Sequence, residues 1–116
     1  MVSDARLVST VFADGTRVKV KGCIDHNSER DLALLQLEKP LPGRKAVFSR
    51  GLQGVATRVY VIGAPKGYGF SIADGLLSQV RNVDGILQYQ VSCPISPDNN
   101  GDPVLNERNK IIKIAS

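Results

Sequence analysis

The chain has 116 residues, the size of one ordinary domain, and its 42% hydrophobic content suffices for a packed core. Its net charge of +4 comes from basic residues scattered singly among acidic ones, densest from Arg44-Lys45 to Arg50 and not interleaved with aromatics, so no nucleic-acid-binding signature is present. No apolar run reaches the roughly 20 residues of a membrane-spanning helix, and the opening Met1-Val2-Ser3-Asp4-Ala5-Arg6 lacks the pattern of a signal peptide.

The elements are strands and turns. Residues 7–12 and residues 17–24 are β-rich runs flanking Ala13-Asp14-Gly15-Thr16, and Asp-Gly between two such runs predicts a hairpin. In the second run Val18 and Val20 alternate with Arg17, Lys19 and Lys21, as in a half-buried strand. Asp31-Leu32-Ala33-Leu34-Leu35-Gln36-Leu37 is apolar on both faces, too short for a free-standing helix, and followed by Pro40 and Pro42; it predicts a central, buried strand.

Residues 38–54 form a Pro-, Gly- and base-rich connector in which Ala46-Val47-Phe48 is the local anchor. Residues 57–63 predict a strand, Ala64-Pro65-Lys66-Gly67-Tyr68-Gly69 a turn-rich loop, and residues 70–80 a strand bent at Gly75. Residues 86–91 alternate again. After the polar, turn-prone Pro97-Asp98-Asn99-Asn100-Gly101-Asp102-Pro103 come Val104-Leu105 and residues 110–114, joined by Asn106-Glu107-Arg108-Asn109. Many short strands between turns imply an all-β barrel or sandwich.

Cys23 and Cys93 are far apart in sequence and match no metal spacing; free buried thiols are the simpler reading, and a disulfide stays open. One histidine, His26, and no Cys-x-x-Cys leave no pattern for structural zinc.

Five stretches, in order, resemble the chymotrypsin-fold serine proteases of the HtrA/Do-like, trypsin-like branch. Phe12-Ala13-Asp14-Gly15-Thr16 is similar to that family's Asp-Gly hairpin, and Asp25 followed by Asp31-Leu32-Ala33-Leu34-Leu35 to its Asp … Asp-Leu-Ala-Val-Leu. Val61-Ile62-Gly63-Ala64-Pro65-Lys66-Gly67 resembles Ala-Ile-Gly-Asn-Pro-Leu-Gly, and Ala73-Asp74-Gly75-Leu76-Leu77-Ser78 resembles Val-Thr-Gly-Ile-Val-Ser. Ile95-Ser96-Pro97-Asp98-Asn99-Asn100-Gly101-Asp102-Pro103-Val104 is similar to Ile-Asn-Pro-Gly-Asn-Ser-Gly-Gly-Pro-Leu. The resemblance implies a double β-barrel, incomplete at both ends. Residues 1–42 would belong to the first barrel, 43–54 to the connector and 55–116 to the second barrel.

In that family a serine attacks the scissile carbonyl, a histidine takes its proton, an aspartate fixes the histidine, and backbone N–H groups hold the oxyanion. Asp31 falls at the triad aspartate. Asn100 falls at the nucleophile, where an amide cannot be activated by a neighbouring base. Asp98, Asn99 and Asn100 span the oxyanion-hole loop, with Asp98 and Asp102 in place of two glycines; a carboxylate there opposes developing negative charge. The triad histidine would precede Met1, and His26, five residues before Asp31, reads as a surface turn residue. Cys93 reads as a strand-ending residue and not as a replacement nucleophile.

Pro94, Ile95, Ile112, Lys113 and Ile114 would line the substrate pocket, apolar in character. Lys113 stands where glycine is usual, either obstructing access or pointing outward. The resemblance thus implies a serine endopeptidase domain inactive as written and retaining peptide or unfolded-protein binding. The alternatives are an active endopeptidase in a longer form, or an unrelated all-β interaction module. No cofactor or metal is implied, periplasmic or secreted location follows if the resemblance holds, and open sheet edges imply homo-oligomers.

Overall fold

The computed structural model describes residues 9–12, 14–41, 43, 45–63, 69–95 and 99–115, which are strand, turn and irregular backbone with no α-helix. By contact density the chain divides into residues 1–44 and residues 45–116.

The first unit contains β1 (Ser9–Val11), β2 (Arg17–Asn27) and β3 (Leu32–Leu37), an antiparallel sheet in the order β1-β2-β3. The β1–β2 loop closes through two backbone bonds, Phe12 N–H to the Thr16 carbonyl at 2.8 Å and Gly15 N–H to the Phe12 carbonyl at 2.9 Å. Gly15 sits at φ +88°, a conformation that costs a glycine nothing. The Asp14 carboxylate accepts the Thr16 N–H at 2.8 Å, and its bonds to Thr16 lower its pKa. The predicted hairpin is therefore present, with Leu7 and Val8 outside the described residues.

β3 departs from expectation. Among the described residues it is an edge strand and not a central one, with β2 as its one strand neighbour, and Leu32 and Leu34 are exposed. An unbroken apolar run does not by itself distinguish a strand covered on both faces from one with an open side. Alternation is clean only around Val18, the buried residue of β2; further along, β2 carries irregularities between Val20 and Gly22 and between Cys23 and Asp25.

The second unit contains β4 (Arg58–Gly63), β5 (Ser71–Val83), β6 (Ile86–Val91), β7 (Pro103–Leu105) and β8 (Ile111–Ile114), in the order β6-β5-β4-β7-β8, every pair antiparallel. β5 serves two partners in turn: Ser71 to Leu76 pair with β4, and Leu77 to Val83 pair with β6. The strand breaks register between Leu77 and Gln79 and not at Gly75, which pairs regularly with Val59. Gly75 is needed for a different reason. A Cβ there would stand 2.6 Å from the Cys93 backbone nitrogen and 2.7 Å from Ser92 Oγ. Its absence lets residues 92–93 lie against β5, where Ser92 Oγ accepts the Leu76 N–H at 2.8 Å.

The core lies in this unit. Val59, Val61, Leu77, Cys93 and Val104 are buried together, with Ala73, Val80, Tyr89, Val91 and Ile112 packed against them. Val59 and Leu77 are fully buried, each contributing on the order of 2 kcal/mol of hydrophobic stabilisation. The β5–β6 connection is Asp84-Gly85, both at positive φ (52° and 83°), the two-residue turn whose twist suits a hairpin. The connector's anchor is real but made by backbone. Ser49 N–H bonds the Ile111 carbonyl, Ile111 N–H bonds the Val47 carbonyl, both at 2.8 Å, and Phe48 forms a parallel bridge with Ile111. The side chains of Val47 and Phe48 stay exposed.

Candidate active-site loop

Pro103 opens β7, and its fixed φ suits a strand's first residue after a turn. Just before it, Asn99 to Asp102 fold into one tight turn: Asp102 N–H donates to the Asn99 carbonyl at 2.9 Å, and Gly101 takes φ +92°. The turn is tied to the end of β8 by two further bonds. Gly101 N–H donates to the Ala115 carbonyl at 2.7 Å, and Ala115 N–H to the Asp102 carbonyl at 2.8 Å. Gly101 is the retained glycine of the motif, and positive φ is the physical reason a glycine suits it.

Within this turn Asn99 Nδ2 donates to Asp102 Oδ2 at 3.0 Å. The Asp102 carboxylate also occupies the space beside Gly63, where any Cβ would collide with it. Asn99 and Asp102 are half-buried, whereas Asn100 is exposed. This clasp was not read from the sequence. The available signal was an Asn and an Asp three positions apart inside a turn, with the Asp standing where the motif has glycine.

The proposed pocket residues are distributed as follows. Ile112, Lys113 and Ile114 lie on β8, with Ile114 opposite Pro103 and Lys113 opposite Val104, so this strand does run beside the exit of the turn. Ile112 packs on the core. Lys113 neither points free into solvent nor hangs loose. Its Nζ donates to the Leu87 carbonyl at 3.0 Å and lies 4.9 Å from the Tyr89 ring centroid. Pro94 and Ile95 are exposed and follow directly on Cys93, which is buried in the core. Burial pushes the Cys93 thiol up, with the Asp74 charge adding in the same direction. Asp98 lies outside the described residues, as do Ser96, Pro97 and residues 64–68.

Asp31 belongs to the first unit and Asn100 to the second. Asp31 ends the turn after β2 at φ 53°, its N–H bonded to the Ser28 carbonyl at 3.3 Å, and it is exposed. His26 was expected on a turn; it lies within β2, exposed and opposite Ala33. Among the described residues no three His, Cys, Asp or Glu side chains group as a metal site requires, and no helix is long and apolar enough to cross a membrane.

The chain matches the family described as "Trypsin-like peptidase domain" over residues 2–113. It is 29% identical to a "Probable periplasmic serine endoprotease DegP-like" of Pseudomonas fluorescens and 29% identical to one of Pseudomonas putida, in each case over 100% of this chain and 25% of the relative. It thus spans about a quarter of the length of these curated relatives. Among solved structures it is similar to the crystal structure of Deg5, with a TM-score of 0.72 and 26% identity, over 95% of this chain and 58% of that one. An unrelated all-β module is thereby set aside. The order of the strands, the retained frame of the turn before β7 and a match running almost from end to end agree: the chain belongs to the trypsin-like peptidase domain family, and its likeness within that family is to the HtrA/Do-like proteases of chymotrypsin fold.

Proposed function

We propose that this is a trypsin-like peptidase domain that does not cleave peptides as written and that binds an extended peptide or unfolded protein segment in the cleft beside residues 99–102. The reading is supported by the likeness of residues 95–104 to the family's nucleophile motif: aligning Gly101 and Pro103 on it puts Asn100 where serine belongs. A carboxamide offers no hydroxyl for a base to deprotonate, so acyl transfer has no first step. Asp102 adds a carboxylate to the same turn, which disfavours charge on a nearby oxyanion.

In this reading Asp31 takes the triad-aspartate position, Asp98, Asn99 and Asn100 the oxyanion-hole loop, and Pro94, Ile95, Ile112, Lys113 and Ile114 the walls that receive side chains. Residues 1–42 then belong to the first barrel and residues 55–116 to the second. Sheet edges left open in either barrel would pair with a second copy; light scattering that finds only monomer at high concentration counts against that pairing.

The test restores chemistry. An Asn100→Ser, Asp98→Gly, Asp102→Gly chain with upstream sequence that carries a Thr-Asn-x-His segment is expected to label with a serine-directed phosphonate and to cleave peptides, while the unaltered chain does neither. If the restored chain neither labels nor cleaves, the surviving-cleft reading fails. If the unaltered chain, in a longer form, cleaves peptides and labels, the inactive reading fails in favour of an active endopeptidase, the activity that the names of the two Pseudomonas relatives carry.

A further inference from the structure

At the other end of β7 from Asn100, the connector and the β7–β8 turn wall a groove of about 740 Å³ that the cleft reading does not use. One wall is the segment from Val47 to Gln53 and the other is the turn from Asn106 to Lys110. Both walls are held in place from behind. Residues 47–49 are bonded to Ile111 through backbone, and Gln53 Nε2 donates to Ser49 Oγ at 2.9 Å. The turn is organised by buried Asn106, whose Oδ1 accepts the N–H groups of Arg108 (2.9 Å) and Lys110 (3.1 Å).

Two features of this groove point to its occupant. Its apolar side chains are uncovered, Val47 being 53% exposed, Phe48 63% and Leu52 75%, although the backbone of residues 47–49 is bonded to Ile111. A segment whose backbone is bonded into the sheet while its large apolar side chains face outward leaves apolar surface available for a partner to cover. Its charge is one-sided. Arg50, Arg108 and Lys110 line it against the single acid Glu107, and among the described residues the only ion pair is Arg58 with Asp74, outside the groove.

We propose that this groove is a docking site for an acidic peptide segment with apolar anchor residues. Carboxylates pair with Arg50, Arg108 and Lys110, while Leu or Phe side chains cover Phe48 and Leu52. Nucleic acid would satisfy the cations but leave the aliphatic surface of Val47 and Leu52 uncovered. A second copy set groove to groove would bring its own Arg50, Arg108 and Lys110 against the same three cations and meet like charge.

The test titrates the full chain into a fluorescein-labelled short peptide alternating Glu with Leu and Phe, read by polarisation. Comparison probes are the same peptide with Lys for Glu and a single-stranded oligonucleotide. Saturable binding of the acidic peptide is expected, weakened about tenfold by Arg108→Glu and by Leu52→Ser and weakened further by salt. Both residues are exposed, and circular dichroism melts of the two variants check that each still folds. Equal binding of the lysine peptide, tighter binding of the oligonucleotide, insensitivity to both variants or no saturation overturns the proposal. Ile95→Ser separates this site from the cleft: if it abolishes binding while Arg108→Glu does not, the peptide sits in the cleft and the groove proposal falls, whereas the cleft reading stands.

Discussion

Lys113, on one edge strand of the five-stranded sheet, donates from Nζ to the backbone carbonyl of Leu87 on the other edge strand, at 3.0 Å. Strands at opposite ends of the order β6-β5-β4-β7-β8 can meet in this way only if the sheet curls. The ammonium also lies over the Tyr89 ring of the same strand, so one side chain makes a charge-assisted hydrogen bond and a cation–π contact together.

Replacing Lys113 by Met keeps the aliphatic stem and removes both contacts. Because the side chain is half-buried, the expected loss is about 1–2 kcal/mol, read as a lower urea midpoint. Lys113→Arg keeps a cation over the ring and should lose less. A Met variant as stable as the parent would show that the sheet curls without this tie.

Two glycines approach other groups closely, and the partner atoms predict different costs. At Gly75 an added Cβ meets backbone, the Cys93 nitrogen at 2.6 Å, which cannot rotate away. Gly75→Ala is therefore expected to cost about 2–4 kcal/mol or to prevent folding. At Gly63 the obstacle is the Asp102 carboxylate, which can turn aside by giving up its bond to Asn99. Gly63→Ala should cost about 1–2 kcal/mol and be relieved by Asp102→Gly in a double-mutant cycle. Additive effects of those two changes would refute the contact.

Asn106 is buried, and its Oδ1 accepts two backbone N–H groups while its own N–H bonds the Lys110 carbonyl. Asn106→Ala strands the two donors. The expected loss is about 2 kcal/mol, with loosening of the turn visible as faster amide exchange at residues 108 and 110. Asn106→Asp, which keeps the acceptor, should retain most of the stability.

The two cysteines are unlike. Cys93 is buried and Cys23 exposed. In the native protein a thiol reagent should modify Cys23 and reach Cys93 only on unfolding. The Cys93 pKa is raised by burial above its ordinary value of 9.0, so unfolding releases the thiol to ionise more easily. Its stabilising contribution is thus full below that ordinary value and lost as pH climbs through and beyond it. A Cys93→Ala chain, though less stable throughout because of the cavity, should lose stability less steeply than the parent above about pH 9. Parallel alkaline limbs would contradict this.

Short strands and the places of several turns are legible in the residues alone. Asp14-Gly15 marks a hairpin because only certain residues accept the backbone angles of a tight reversal, a local property. The same property made Asp84-Gly85 legible, though its signal went unread. Pro97, Asn99, Gly101 and Pro103 likewise carried the family resemblance, since frame residues of a turn are fixed by local geometry. The long-range choices were not legible. Leu32 and Leu34 lie on an edge because, among the described residues, β3 has β2 as its one strand neighbour, and Gly75 permits an approach by Ser92 and Cys93 rather than a bend. Lys113 reaches Leu87 only because five strands curl together. Local backbone chemistry is written residue by residue, whereas strand order, close approach and edge-to-edge contact depend on which distant segments pack together, and only the tertiary structure decides that.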